Sequence, residues 1–152
     1  MLVKEILRIK GNTLYSVTPA TLLSDAVITM AEHDIGSVLV IEGGKLAGML
    51  TFREVIKVLA QRQHEHRIGP TPTMSEINVG GVMDADPARA HPEMEVDELR
   101  SLMLQRHQRY VPVMEGDTLQ GVISFHDVAK AVFEEQAFEN RMLKGYIKNW
   151  PA

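Results

Sequence analysis

The sequence contains no cysteine among its 152 residues, which removes disulfides and thiolate metal ligands from consideration and suits a reducing compartment. It also lacks any apolar run approaching the ~18 residues that mark a membrane-spanning helix. The charged start Met1-Leu2-Val3-Lys4-Glu5 does not follow the basic-then-apolar order of a secretory signal. The expectation is a cytoplasmic protein with no membrane contact. A basic surplus is missing too. The formal net charge is −4 and the pI is near 5.8, which leaves no footprint for general nucleic-acid binding. Any anion must then be held by a few local groups. What the chain does have is 45% hydrophobic residues, enough at this length to bury a core without disulfide or metal staples.

The main positive signal is internal repetition. Sliding the chain on itself by 73 positions lays Pro19 on Pro92, Met30 on Met103, Val38 on Val111 and Val40 on Val113. Without a gap, Glu42-Gly43 then falls on Glu115-Gly116, Leu46 on Leu119, Gly48 on Gly121, Phe52 on Phe125, Val55 on Val128 and Lys57 on Lys130. Each copy reads strand, helix, strand, strand, helix. An extended lead, residues 14–18 in the first copy, is closed by Pro19 or Pro92. Leu23, Ala26, Val27 and Met30 then recur at helical spacing, as do Val96, Leu99 and Met103, with Glu95, Asp97 and Glu98 favourably placed near the start of the second helix. Strand-like runs at 37–41 and 46–50 flank the turn Glu42-Gly43-Gly44-Lys45, and runs at 111–114 and 119–123 flank Glu115-Gly116-Asp117-Thr118. A second helix opens at Thr51 or Ser124.

This order predicts an α+β fold in which two repeats pack their apolar sheet faces as a pseudo-twofold pair, leaving a cleft between them. The first repeat is expected over 1–62, a linker over 63–78, the second repeat over 79–134 and a helical extension over 135–152. The wider connection, from about Gln61 to Gly81, holds the breakers Gly69-Pro70-Thr71-Pro72 and Gly80-Gly81. His64-Glu65-His66 lies at its start, but positions two apart face opposite sides of a helix and no further ligand set accompanies them. A solvated segment and no metal site are expected. Gly80-Gly81 is not followed by the Lys-Ser/Thr of a phosphate loop. His126 and Asp127 are sequence neighbours, which rarely aim at each other, and no nucleophile setting accompanies them, so no enzyme is expected. Of the nine methionines, Met30 and Met103 are repeat equivalents and read as core fillers.

The sharpest local feature is the pair Gly48-Met49-Leu50-Thr51-Phe52-Arg53-Glu54 and Gly121-Val122-Ile123-Ser124-Phe125-His126-Asp127. One reading is a capping box, in which the hydroxyl and the acid three residues on satisfy orphan amides where a helix begins. The other takes the preceding glycine as room for a ligand at the backbone. A helix N-terminus with a Ser or Thr hydroxyl attracts phosphate, and a carboxylate can accept two hydrogen bonds from the vicinal hydroxyls of a ribose. Phosphate plus ribose means nucleotide. Arg53 and His126 lie inside the motifs, and Arg109, at the mouth of a hairpin strand, is the best phosphate clamp. Its counterpart is Gly36, so the two pockets are expected to be unequal, with the stronger one at Ser124 and Asp127.

The repeat and its Gly-h-h-Ser/Thr-x-x-Asp ending resemble a tandem pair of CBS domains, a Bateman module, over nearly the whole chain. Arg109-Tyr110-Val111-Pro112-Val113 is similar to the arginine-led strand of that family, and Lys10-Gly11-Asn12-Thr13-Leu14-Tyr15 to its entry into the first repeat. The resemblance implies a non-catalytic regulatory module with two pockets for adenine nucleotides: AMP first, then ADP, ATP or another adenosyl ligand such as NAD. It implies Ser124 and Asp127 at the phosphate and ribose of one site, helped by Arg109 and His126, with the adenine against Gly11, Thr13 and Tyr15. Thr51, Arg53 and Glu54 match the second site, where Glu54 stands in place of the family's Asp. Ligand binding is expected to be reported by a small relative rotation of the repeats.

The last helix is expected to run from Phe125 to about Lys148, some 35 Å long at 1.5 Å per residue. Its stripe Phe138, Met142, Tyr146 and Trp150 either packs on its own module or forms a subunit contact. Because the family commonly pairs its modules, a homodimer is expected, with an effector protein receiving the signal. The alternative is a structural interaction protein with vestigial clefts that acts through dimerisation and this helix.

Overall fold

The computed structural model describes residues 1–11, 14–66 and 74–148. Two hairpins form its centre. In the first, β2 (Ser37–Glu42) and β3 (Lys45–Thr51) pair Ser37 with Thr51 and Val40 with Gly48, then shift register so that Ile41 meets Leu46. In the second, β4 (Tyr110–Glu115) and β5 (Thr118–Ser124) pair Tyr110 with Ser124 and Val113 with Gly121, then Met114 with Leu119. Every pair and the bulge itself are displaced by the repeat offset. Gly43 and Gly116, at φ 59° and 60°, supply the left-handed residue that each tight turn needs.

The lead strands differ. β1 (Ser16–Val17) lies parallel to β2, pairing Val17 with Val40, whereas its counterpart shrinks to a single parallel bridge, Ala90 with Val113. The cause is one residue. The Leu39 N–H donates to the Tyr15 carbonyl at 3.1 Å, while Pro112, at the equivalent position, has no N–H to give.

Helices α2 (Leu23–Glu32) and α4 (Val96–Arg106) each follow an extended residue, Leu22 or Glu95, and end near a left-handed one, Asp34 at φ 51° or His107 at φ 50°. Both bury one face: Leu23, Ala26 and Met30 in α2, and Val96, Leu99 and Met103 in α4. Met30 and Met103 are 4% and 2% exposed, so they fill the core. The closing helices are α3 (Phe52–His66) and the 24-residue α5 (Phe125–Lys148). α3 carries residues 61–66, which the sequence assigned in part to the linker, and Gly69-Pro70-Thr71-Pro72 lies outside the described residues. Among the described residues no helix is long and apolar enough to cross a membrane. Nor do three or more His, Asp or Glu gather there as a metal site.

Each repeat has its own buried cluster, and each cluster is completed by the segment that precedes the other repeat. An N-terminal helix, α1 (Val3–Lys10), leads into the first repeat in sequence but packs on the second, with Val3 and Ile6 in the cluster of Val96, Leu99, Val111 and Ile123. Its backbone is tied there by Val3 N–H to the Met94 carbonyl and Lys4 N–H to the Pro92 carbonyl, both 2.9 Å. Conversely, Val79 N–H donates to the Thr21 carbonyl at 2.8 Å, Gly80 N–H to the Pro19 carbonyl at 2.9 Å, and Val79 is buried in the first cluster. The acceptors are repeat equivalents, so the two leads are exchanged. Burying Val3 and Ile6 contributes about 1.5–3 kcal/mol each, which fastens the first segment of the chain to its second repeat. Repeat comparison does not reveal α1, because its spatial counterpart is the short 3-10 turn Val79–Gly81.

Candidate functional site

The ends of β3 and β5 deliver Thr51 and Ser124 to the N-termini of α3 and α5. Both motifs form capping boxes here. Thr51 donates from its N–H and its hydroxyl to Glu54 Oε1, each at 2.8 Å, while Arg53 N–H donates to Thr51 Oγ1 at 3.1 Å. Ser124 N–H donates to Asp127 Oδ2 at 2.8 Å, and Asp127 N–H returns a bond to Ser124 Oγ at 3.1 Å. The glycines before them are also explained internally, which corrects the assignment of that space to a ligand. A Cβ added to Gly48 would lie 2.5 Å from the Asp84 carbonyl oxygen, where Met49 and Asp84 exchange two backbone bonds of 2.9 Å. A Cβ on Gly121 would lie 2.7 Å from Leu7 Cδ2 of α1. The backbone is approached closely at both places, but by the exchanged leads.

Asp127 has a further partner. Lys10, the last residue of α1, donates from Nζ to Asp127 Oδ2 at 2.7 Å and to the Val122 carbonyl at 2.8 Å. Burial alone would push the Asp127 carboxyl up. The hydrogen bonds from Lys10 and from the Ser124 amide, with the Lys10 charge, outweigh it and hold the carboxyl below the ordinary carboxylate range.

Two cavities of about 490 Å³ each flank the junction of the repeats. The first is lined by Lys10, Tyr15, Gly36, Arg109, Ser124 and His126. Asp127 adjoins it through Lys10 and Ser124. The second is lined by Thr51, Arg53, Glu54, Asp84, Gln108 and Arg109. The structure thus brings Tyr15, Arg109, Ser124 and His126 together on one side and Thr51, Arg53 and Glu54 on the other. Arg109 lines both cavities. Gly11, at φ 89°, ends α1 and is not on either wall, and Thr13 lies outside the described residues. The Tyr15 ring stacks on His33, with centroids 4.2 Å apart.

The contrast between Arg109 and Gly36 has a steric cause. Their carbonyls play one part, accepting the Phe125 N–H at 2.7 Å and the Phe52 N–H at 3.2 Å. A Cβ on Gly36, however, would overlap the Tyr110 hydroxyl, whose ring lies over that position. Sequence reasoning missed Lys10, Tyr110 and Gln108 as wall residues. Lys10 meets Asp127 across 117 positions, a separation at which no local pattern points from one to the other. Gln108 is the polar equivalent of Ile35, and that break in apolar character was its signal.

Comparison with known proteins agrees with this architecture. The family model described as CBS domain matches residues 3–61 and 79–134. The CBS domain-containing protein YhcV of Bacillus subtilis is 30% identical over 115 residues, covering 75% of each chain. A solved protein with CBS domains from Burkholderia ambifaria is 31% identical, with a TM-score of 0.78 over 90% of this chain and 96% of that one. The fold also matches CBSX2, solved in complex with AMP, at 20% identity and a TM-score of 0.66 over 81% of this chain and 90% of that one. With both repeats matched and both built to one register, the chain belongs to the CBS-domain family as a tandem pair.

Proposed function

We propose that the chain is a regulatory module that binds an adenine nucleotide, AMP first, in the cavity walled by Tyr15, Arg109, Ser124 and His126, and does no chemistry on it. The carrying observation is that this one cavity joins the N-terminus of α5, the cations Lys10 and Arg109 and the His126 side chain to the lead of the other repeat. The positive end of the α5 dipole and the two cations beside it suit a phosphate. Asp127 stands beside Ser124 for a ribose, and Tyr15 supplies a flat wall for a base. The volume falls within the usual 300–1,000 Å³ of small-molecule sites. That CBSX2 is solved with AMP supports the choice of ligand.

The Lys10–Asp127 ion pair supplies the signal in this reading. A ribose diol that takes the Asp127 carboxylate releases Lys10, which ends α1, so occupancy is reported at the strap between the repeats. Differential contact of this kind is what lets a ligand shift a conformational equilibrium. Thr51, Arg53 and Glu54 form a second and weaker site. The module works in the cytoplasm as a homodimer, and an effector protein reads it. The internally satisfied capping boxes favour one alternative, a structural interaction protein with vestigial clefts.

A melting-temperature panel with AMP, ADP, ATP and NAD tests the proposal. It is expected to give the largest rise with AMP, and the ligand is expected to be recovered unchanged after long incubation. No shift with any of the four would favour the interaction protein, and turnover would make the chain an enzyme.

A further inference from the structure

We infer that Gln108 sets the specificity difference between the two cavities, because its carboxamide occupies in the second the backbone donor that the first leaves open to a base. The inference rests on the nucleotide reading above and says which cavity can recognise adenine.

Under the repeat offset Tyr15 corresponds to Ala88, Ile35 to Gln108 and Leu39 to Pro112. In the first repeat the Tyr15 carbonyl accepts the Leu39 N–H, and the Tyr15 N–H has no hydrogen-bond partner among the described residues. Ile35 packs against the apolar cluster and makes no claim on that edge. In the second repeat Pro112 cannot donate, and Gln108 takes over. Its Nε2 donates to the carbonyls of Ala88 and Tyr110, both at 2.9 Å, and its Oε1 accepts the Ala88 N–H at 2.9 Å.

A carboxamide presents an acceptor beside a donor. Adenine presents the same pair, a ring nitrogen beside its amino group. Gln108 therefore makes with Ala88 the two bonds that an adenine edge would make, and it does so in a half-buried place where a ligand would have to break them. The first cavity keeps at Tyr15 a backbone donor that is unpaired among the described residues, for a ring nitrogen. The second cavity holds a ligand by its anionic end alone, through Arg53, Lys57 and Arg109. Its ligand class is a phosphorylated small molecule of any base.

The test compares AMP with inosine monophosphate, whose base edge reverses donor and acceptor, by titration calorimetry on the full chain. The wild type is expected to show one tighter event per chain that prefers AMP by about tenfold or more, and a weaker one that does not distinguish the two. Gln108→Ile alone leaves the Ala88 carbonyl unpaired and is expected to lower the melting temperature by several degrees. Adding Pro112→Leu restores the donor and the stability. The double variant is expected to bind two AMP per chain, both in preference to inosine monophosphate. A wild-type second event that prefers AMP as strongly as the first would overturn the inference and leave the nucleotide reading intact. So would a double variant with the native melting temperature that still binds one AMP selectively. No AMP binding to the wild type would sink the nucleotide reading and this inference with it.

Discussion

At the scale of single residues, Asp127 is set by competition between burial and its partners, and the partners prevail. A carboxyl whose folded-state pKa is depressed contributes stability above its unfolded value, ~3.9, and loses that contribution as pH falls through the folded value. The melting temperature should therefore hold at neutral pH and fall below about pH 4. In Lys10→Met the Asp127 carboxyl loses its cation and titrates higher. The gap in stability between wild type and this variant should be widest near pH 7 and close on acidification. A gap that does not change between pH 7 and pH 3 would mean the ion pair is not formed in solution. Ser124, Thr51 and Arg109 were legible in the sequence because they repeat or conspicuously fail to repeat. Lys10 was not, since the offset places Met83 opposite it and its partner lies in the other repeat.

At the scale of elements, the hairpins, α2, α4 and the reach of α5 to Lys148 followed from periodicity and turn chemistry, which act locally. The exchanged leads did not, because α1 and the segment around Asp84 are positioned by contacts with the other repeat. These contacts give the motif glycines unequal tolerance. At Gly121 the crowding atom is the end of the flexible Leu7 side chain, whereas at Gly48 it is the Asp84 backbone carbonyl, held by two hydrogen bonds. Gly121→Ala is expected to cost about 1 kcal/mol and Gly48→Ala about 2–3 kcal/mol, the range for overpacking a rigid site. Urea unfolding measures both. Equal losses would show that the leads are not seated as described.

At the scale of the whole molecule, two features extend beyond the self-contained pair. One is the apolar surface of α5: Phe133, Phe138 and Met142 are 72%, 56% and 61% exposed, more large apolar surface than a lone helix in water normally shows. This favours the proposed contact with a second copy, although Trp150 of the predicted stripe lies outside the described residues. Sedimentation should give a dimer for the wild type and a monomer for Phe138→Glu with Met142→Glu. A wild-type monomer at micromolar concentration would assign that surface to another partner.

The other feature is the inequality of the clefts. The sequence pointed to it through Arg109 against Gly36 and Asp127 against Glu54. The structure adds Lys10 on one side, a pairing across 117 positions that a repeat alignment cannot supply, and on the other the bonds of Gln108 to Ala88 and Tyr110. The most direct test of the central claim is calorimetric titration of AMP into the wild type, Asp127→Ala and Glu54→Ala. Loss of a hydrogen-bonded carboxylate should weaken the main event by about 10–100-fold in Asp127→Ala and leave it within a few-fold in Glu54→Ala. Equal weakening in the two variants, or no heat with the wild type, would contradict the account.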